Sequence, residues 1–138
     1  IMRAECGKHA NFKIFEYGFP GYLSTEEGLA VYNEEKAGLL NNGLLRTYAG
    51  RVAAVDLSLK HGFSTTYNHL LEYFDKEDAF NLTLRAKRGI ENTSKKGAYT
   101  KDYLYLDGYY KVKNYVARGG SLQKLYIGKI GLEHVNMF

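Results

Sequence analysis

Apolar residues recur along this chain at spacings of three and four, the period of an amphipathic helix. Residues 1–8 read as the tail of a helix already under way. A loop follows, over about 7–24. Within it Phe12-Lys13-Ile14-Phe15-Glu16-Tyr17 alternates briefly, as a strand would, but Gly18, Pro20 and Gly21 crowd its end. The next helix spans about 25–40 and stops at Asn41-Asn42-Gly43. Residues 44–61 form a third helix, ended by Gly62, with Ala49, Val52 and Ala53 as a small-residue face for close packing. Ser64 caps a helix carrying Tyr67, Leu70, Leu71 and Phe74. Asp75 or Lys76 opens another, through Ala79, Phe80, Leu82 and Leu84 to Arg88, closed by Gly89. A polar loop covers 90–99. Thr100 then caps a helix over about 101–117, which Arg118-Gly119-Gly120 ends, and Ser121 caps a short last piece through Tyr126. The pattern predicts a mainly α protein, one helical domain or lobe over 1–138, without repeats or linkers.

Composition narrows the class. The chain has 138 residues, 45% hydrophobic and 25% charged, which suits one soluble domain. Its apolar runs are far too short to span a membrane, and nothing reads as a secretory signal. A net charge of +4 permits an acidic partner without demanding nucleic acid. Cys6 is the single cysteine, so no internal disulfide can form and a reducing, cytoplasmic setting is expected. The glycosylation patterns at Asn81 and Asn92 are then chance matches. Tryptophan is absent while tyrosine reaches 13, a residue suited to half-buried faces and polar clefts.

Candidate chemistry concentrates in Gly18-Phe19-Pro20-Gly21-Tyr22, followed by Ser24-Thr25-Glu26-Glu27-Gly28-Leu29-Ala30. Locally, Ser24 and Glu27 read as a capping box, each side chain reaching the other's backbone N–H. The segment also resembles the Glu-Gly-Leu-Ala signature of the QEGLA-motif family, zincin-like metallopeptidases that include the tubulin tyrosine carboxypeptidases. That resemblance implies Glu27 as the third zinc ligand, with Glu26 and Ser24 supporting it and Gly28 permitting close approach of a helix or substrate. It also implies two histidine ligands and a glutamate base on a His-Glu…His helix. This chain has no such motif. Its histidines are His9, His61, His69 and His134, and His69-Leu70-Leu71-Glu72-Tyr73 misses the inverted motif by one residue. The chain therefore reads as a fragment starting just after the catalytic helix.

A second block resembles the same family: Arg85-Ala86-Lys87-Arg88-Gly89, a polar loop, then Tyr99-Thr100-Lys101-Asp102-Tyr103-Leu104-Tyr105-Leu106-Asp107-Gly108, with Tyr99 where the family has Phe. Arg85 and Arg88, three apart, share a helix face and could simply complement a helix C-terminus. Alternatively Arg88, Lys101, Tyr105 and Arg85 hold the carboxylate of a peptide C-terminus, where arginine binds bidentately and a tyrosine hydroxyl can donate to an oxyanion.

These readings converge on a helical C-terminal lobe of a gluzincin-like, zinc-dependent carboxypeptidase. Its substrate would be a protein C-terminus and its partner the missing N-terminal lobe, with this piece alone inactive. In that reading the Glu27 carboxylate faces a cleft near Arg88 and Lys101. Two alternatives stand beside it. One is a catalytically dead relative. The other is a helical module binding RNA or an acidic protein tail through Lys87, Arg88, Lys95, Lys96 and Lys101.

Overall fold

The computed structural model describes residues 2–137, and among them there is no strand. Seven α-helices follow in order: α1 Met2–Lys8, α2 Ile14–Tyr17, α3 Tyr22–Lys36, α4 Asn42–Lys60, α5 Phe63–Leu70, α6 Lys76–Ala86 and α7 Leu104–Ala117. Short 3-10 turns lie at Thr100–Tyr103, Gln123–Tyr126 and Leu132–Met137. The chain forms two compact units. One combines the residues up to Leu40 with those from Leu104 onward, and the other is Asn41–Tyr103.

The first unit is organised by α3 against α7. Thr25, Gly28, Leu29, Val31 and Tyr32 are buried on α3, and Gly108, Tyr109 and Val112 on α7. The two helices touch backbone to backbone at a pair of glycines. A Cβ built on Gly28 would overlap the Gly108 carbonyl and stand 2.7 Å from its Cα. A Cβ on Gly108 would overlap the Ser24 carbonyl and lie 3.0 Å from the Gly28 Cα. Glycine inside a helix costs about 0.5–1 kcal/mol relative to alanine, so both positions accept poorer helix propensity in exchange for contact. Polar groups pin the same seam. The Ser24 hydroxyl donates to Asp107 at 3.3 Å, and Lys111 pairs with Asp107 at 2.7 Å. Near the other end of both helices, the Lys113 ammonium donates to Glu35 and to the Tyr109 hydroxyl.

Arg3 ties α1 into this unit. It is buried, and its guanidinium donates to the carbonyls of Leu125 at 2.9 Å, Ile130 and Tyr22 while facing Glu26 at 3.7 Å. Burial lowers the Arg3 pKa and Glu26 opposes that. Within the expected loop, the segment whose brief alternation could have been a strand contains one helical turn, α2. Only Phe15 of that turn is buried, and the turn lies so close to α1 that a Cβ on Gly7 would meet the Phe15 backbone.

Helix α3 also starts earlier than the spacing predicted. Gly21, at φ +79°, lets the chain turn straight into the helix at Tyr22, whose N–H donates to the Phe19 carbonyl at 3.2 Å. Ser24 is therefore inside the first turn. Its N–H donates to the Gly21 carbonyl at 3.2 Å, so the Ser24–Glu27 capping box does not form.

The second unit is built on α4, α5 and α6. Ala54, Val55, Leu70, Ala79, Leu82 and Ala86 make its buried core, with Leu57, Tyr67 and Phe74 packed around them. Asn41 caps α4 by accepting from the Leu44 N–H at 2.9 Å, and Asp75 caps α6 by accepting from Asp78 at 2.8 Å. Ser64 caps nothing: Gly62 precedes α5 and Ser64 is an exposed residue within it. Of the expected small-residue face, Ala49 is exposed, Val52 is half-buried and Ala53 packs against the core, while α4 buries Gly50, Ala54 and Val55. Helix α6 ends at Ala86, two residues short of Arg88, and Thr100 opens a 3-10 turn instead of capping α7.

Replacing Gly108 by alanine is expected to destabilise the protein by about 2 kcal/mol or more, because backbone overlap outweighs the propensity gain. A rise or no change in the urea midpoint would contradict the glycine contact. A second expectation concerns pH. Lys113 holds the Glu35 carboxyl below the usual carboxylate range. A depressed folded-state pKa gives stability that is present above the ordinary carboxylate value and lost as pH falls through the lowered one. The stability gap between wild type and Glu35→Gln should therefore close as pH drops below about 4, measured by denaturation at a series of pH values.

Candidate functional site

The residues singled out in the sequence fall into two sets, one in each unit. Ser24, Glu26, Glu27 and Tyr105 belong to the first unit, and Arg85, Arg88 and Lys101 to the second.

In the first unit, Glu26 and Glu27 are both half-buried on the opening turns of α3. Glu26 faces the Arg3 guanidinium, and Ser24 holds Asp107. Glu27 sits one residue before the Gly28–Gly108 contact, on a stretch of helix that cannot slide without collision. Tyr105 lies in the first turn of α7, three residues before Gly108, and is half-buried. The two blocks that resembled one family thus meet in space, Glu26–Ala30 lying against Tyr105–Gly108 through the glycine pair. A groove of about 880 Å³ opens beside the start of α3, lined by Ser24, Thr25, Lys111, Arg118, Lys124 and Glu133 among others. Glu27 is not among its lining residues.

In the second unit, both arginines converge on Asp102. Arg85 donates bidentately, Nε to Oδ2 at 2.7 Å and a terminal nitrogen to Oδ1 at 3.1 Å. Arg88 approaches Oδ1 at 3.8 Å and lays its guanidinium over the Tyr99 ring, 4.3 Å from the centroid. Asp102 is 2% exposed. This fork-and-carboxylate arrangement is what arginine would offer a peptide C-terminus, and here an internal carboxylate occupies the Arg85 fork. Arg88, with its side chain 52% exposed, is the outward member. Lys101 is half-buried in the 3-10 turn.

Lys87 corrects an expectation. Counted among surface cations, it is in fact 2% exposed, with its ammonium donating to four backbone carbonyls. His69 and Glu72 face each other at 3.9 Å with both side chains largely exposed.

Neither Asp102 nor Lys87 was singled out as an internal partner. The signal for Asp102 was available: an acid shortly downstream of two arginines spaced by three, in a turn beginning with Thr100.

A structural or catalytic zinc takes at least three protein ligands. Among the described residues no group of three or more His, Cys, Asp or Glu could hold a metal ion. The described residues do not make a zinc site by themselves.

These features define a class: an all-helical chain in which a carboxylate-bearing helix is locked to its neighbour and a paired-arginine cluster is preorganised. The chain belongs to the microtubule-associated tyrosine carboxypeptidase family, whose sequence profile matches residues 6–138. It is similar to microtubule-associated tyrosine carboxypeptidase 1 of Mus musculus, 31% identical over 108 residues, covering 75% of this chain and 22% of the relative. The Rattus norvegicus protein of the same name is 30% identical over 124 residues, covering 87% of this chain and 25% of the relative. The chain therefore spans about a quarter of the length of these relatives. No solved structure matches it. Among the described residues no helix is long and apolar enough to cross a membrane.

Replacing Asp102 by Asn should cost about 2 kcal/mol, below the value for a fully buried pair because the Arg85 side chain is 40% exposed. Chemical denaturation of the variant measures it, and an unchanged midpoint would show the arginine cluster to be energetically idle.

Proposed function

We propose that this chain supplies a helical lobe of a zincin-like, zinc-dependent carboxypeptidase acting on protein C-termini. Tyrosine removal is the activity that the names of its relatives record. The observation that carries the reading is the meeting of the two family-like blocks at Gly28 and Gly108, within a chain whose family match covers 6–138. The finer likeness of Glu26-Glu27-Gly28-Leu29-Ala30 to the QEGLA signature supports Glu27 as the metal ligand of this lobe, with the two imidazoles and the general base coming from outside it.

In this reading the residues present divide the work. Glu27 offers its carboxylate from a helix whose position α7 fixes. In the second unit Arg88 attracts the substrate carboxylate, with Lys101 as a further donor and Arg85 acting through its grip on Asp102. Ser24 and Glu26 brace the start of α3 through Asp107 and Arg3. The lobe alone is inactive, because one carboxylate cannot retain zinc. A cytoplasmic protein C-terminus is the substrate this reading implies.

The competing picture of a module for RNA or an acidic tail loses Lys87 from its cationic surface. An inactive relative differs from the enzyme only in the assay. With the full-length protein and a peptide ending in tyrosine, release of free tyrosine is expected, abolished by chelation and restored by zinc. Glu27→Gln should lower kcat by at least about 100-fold. Arg88→Ala should raise KM about 10-fold with kcat largely kept. Full activity in the Glu27 variant would overturn the assignment. No turnover in a zinc-loaded wild type would identify an inactive member.

A further inference from the structure

Lys87 has no part in the function proposed above, yet few side chains here are so completely enclosed. Its Nζ donates to the carbonyls of Ser58 at 3.1 Å, His61 at 2.6 Å, Lys95 at 2.8 Å and Gly97 at 2.9 Å. Two of these carbonyls belong to the C-terminal end of α4 and its exit. The other two belong to the polar loop 91–99. An ammonium has three N–H donors, so four acceptors at these distances saturate it. Burial pulls the Lys87 pKa below the ordinary lysine value. The carbonyl dipoles and the negative end of α4 act the other way and favour the charged form.

Glu91, Asn92, Thr93, Ser94, Lys95 and Lys96 are all exposed, and of this loop Ala98 packs against the core of the second unit. Asn92 braces it locally by accepting from the Ser94 N–H and hydroxyl, and the remainder of its polar anchorage is backbone hydrogen bonding around the ammonium. The Phe63 N–H donates to the Thr93 carbonyl, the Gly97 N–H to Ser58, and the Tyr99 N–H to Ala86. Ser58 contributes one carbonyl to both the Gly97 N–H and Lys87. Two residues beyond Gly97 comes Tyr99, whose ring carries the Arg88 guanidinium at 4.3 Å.

We infer that Lys87 is a positioning residue: its buried ammonium is the cation around which loop 91–99 folds, and through Tyr99 it sets where the Arg88 guanidinium stands. The four carbonyls amount to a monovalent-cation site whose ion is covalently attached to α6. The geometry stands on its own. Only its consequence for substrate rests on Arg88 binding a carboxylate.

The test uses this 138-residue chain with amide hydrogen exchange and NMR of arginine side chains. Lys87→Met keeps the bulk and removes the charge. It is expected to speed exchange at Gly97 and Tyr99 by about 10-fold or more, to leave Leu29, Val31 and Val112 unchanged, and to abolish the ring-induced shift of the Arg88 Nε–H. Lys87→Ala should behave alike, with protection returning on addition of propylammonium but not of propanol. Wild-type protection in Lys87→Met, or equal rescue by propanol, would overturn the inference and leave Lys87 as packing. In the full-length enzyme, Lys87→Met should raise KM for a tyrosine-ended peptide without further loss in the Arg88→Ala background. A displaced Arg88 signal with unchanged KM would uphold the positioning role and remove Arg88 from substrate binding instead.

Discussion

Two glycines set the terms for everything else in the first unit. Gly28 and Gly108 let α3 and α7 approach until backbone meets backbone, a distance that any side chain at either position would forbid. Such contact locks the two helices together, because neither can rotate or slide without driving a carbonyl into a Cα. Polar pins follow from that registration. Ser24 reaches Asp107, Lys111 closes on the same carboxylate, and Lys113 bridges to Glu35. Glu27, adjacent to the contact, inherits its rigidity. The position of this stretch of α3 is fixed by the absence of two methyl groups.

The second unit relies on charges satisfied internally. Arg85 and Arg88 share one buried carboxylate, and Lys87 between them turns the opposite way into a cage of carbonyls. Three cations within four residues thus have three different environments. A charge taken out of water must find partners. Asp102 provides them for Arg85, backbone dipoles provide them for Lys87, and Arg88 remains at the surface against an aromatic ring. Arg88 is the outward member of the cluster, because the Arg85 fork is already engaged by Asp102.

Much of the helical framework was legible in spacing alone. The periodicity, Asn41-Asn42-Gly43, Asp75 and the Gly-Gly pair after Arg118 marked helices and breaks close to where they lie. The failures share a physical cause. Ser24 looked like a cap because a hydroxyl before Glu27 satisfies a local rule, but Gly21 at positive φ turns the chain into a helix one turn sooner. Ser64 and Thr100 failed similarly: side-chain caps are optional where a glycine or a 3-10 turn does the same job. The short alternation before Gly18 became a single helical turn because only Phe15 finds a partner surface. For the site, Glu27 stood out through its motif, and Gly28 as a place of close approach. Gly108 was quoted only as part of a likeness, since nothing in a sequence says which two glycines will face each other. Lys87 was unreadable for the same reason: its four partners are backbone carbonyls, which carry no residue signature.

The direct measurement is nuclear Overhauser contact between the α protons of Gly28 and Gly108 in the glycine-labelled chain. A strong cross-peak, characteristic of protons within about 3 Å, is expected if α3 and α7 meet backbone to backbone as described. No cross-peak, with the two glycines reporting separate and independent surroundings, would contradict the contact and release Glu27 from the helix pair that holds it.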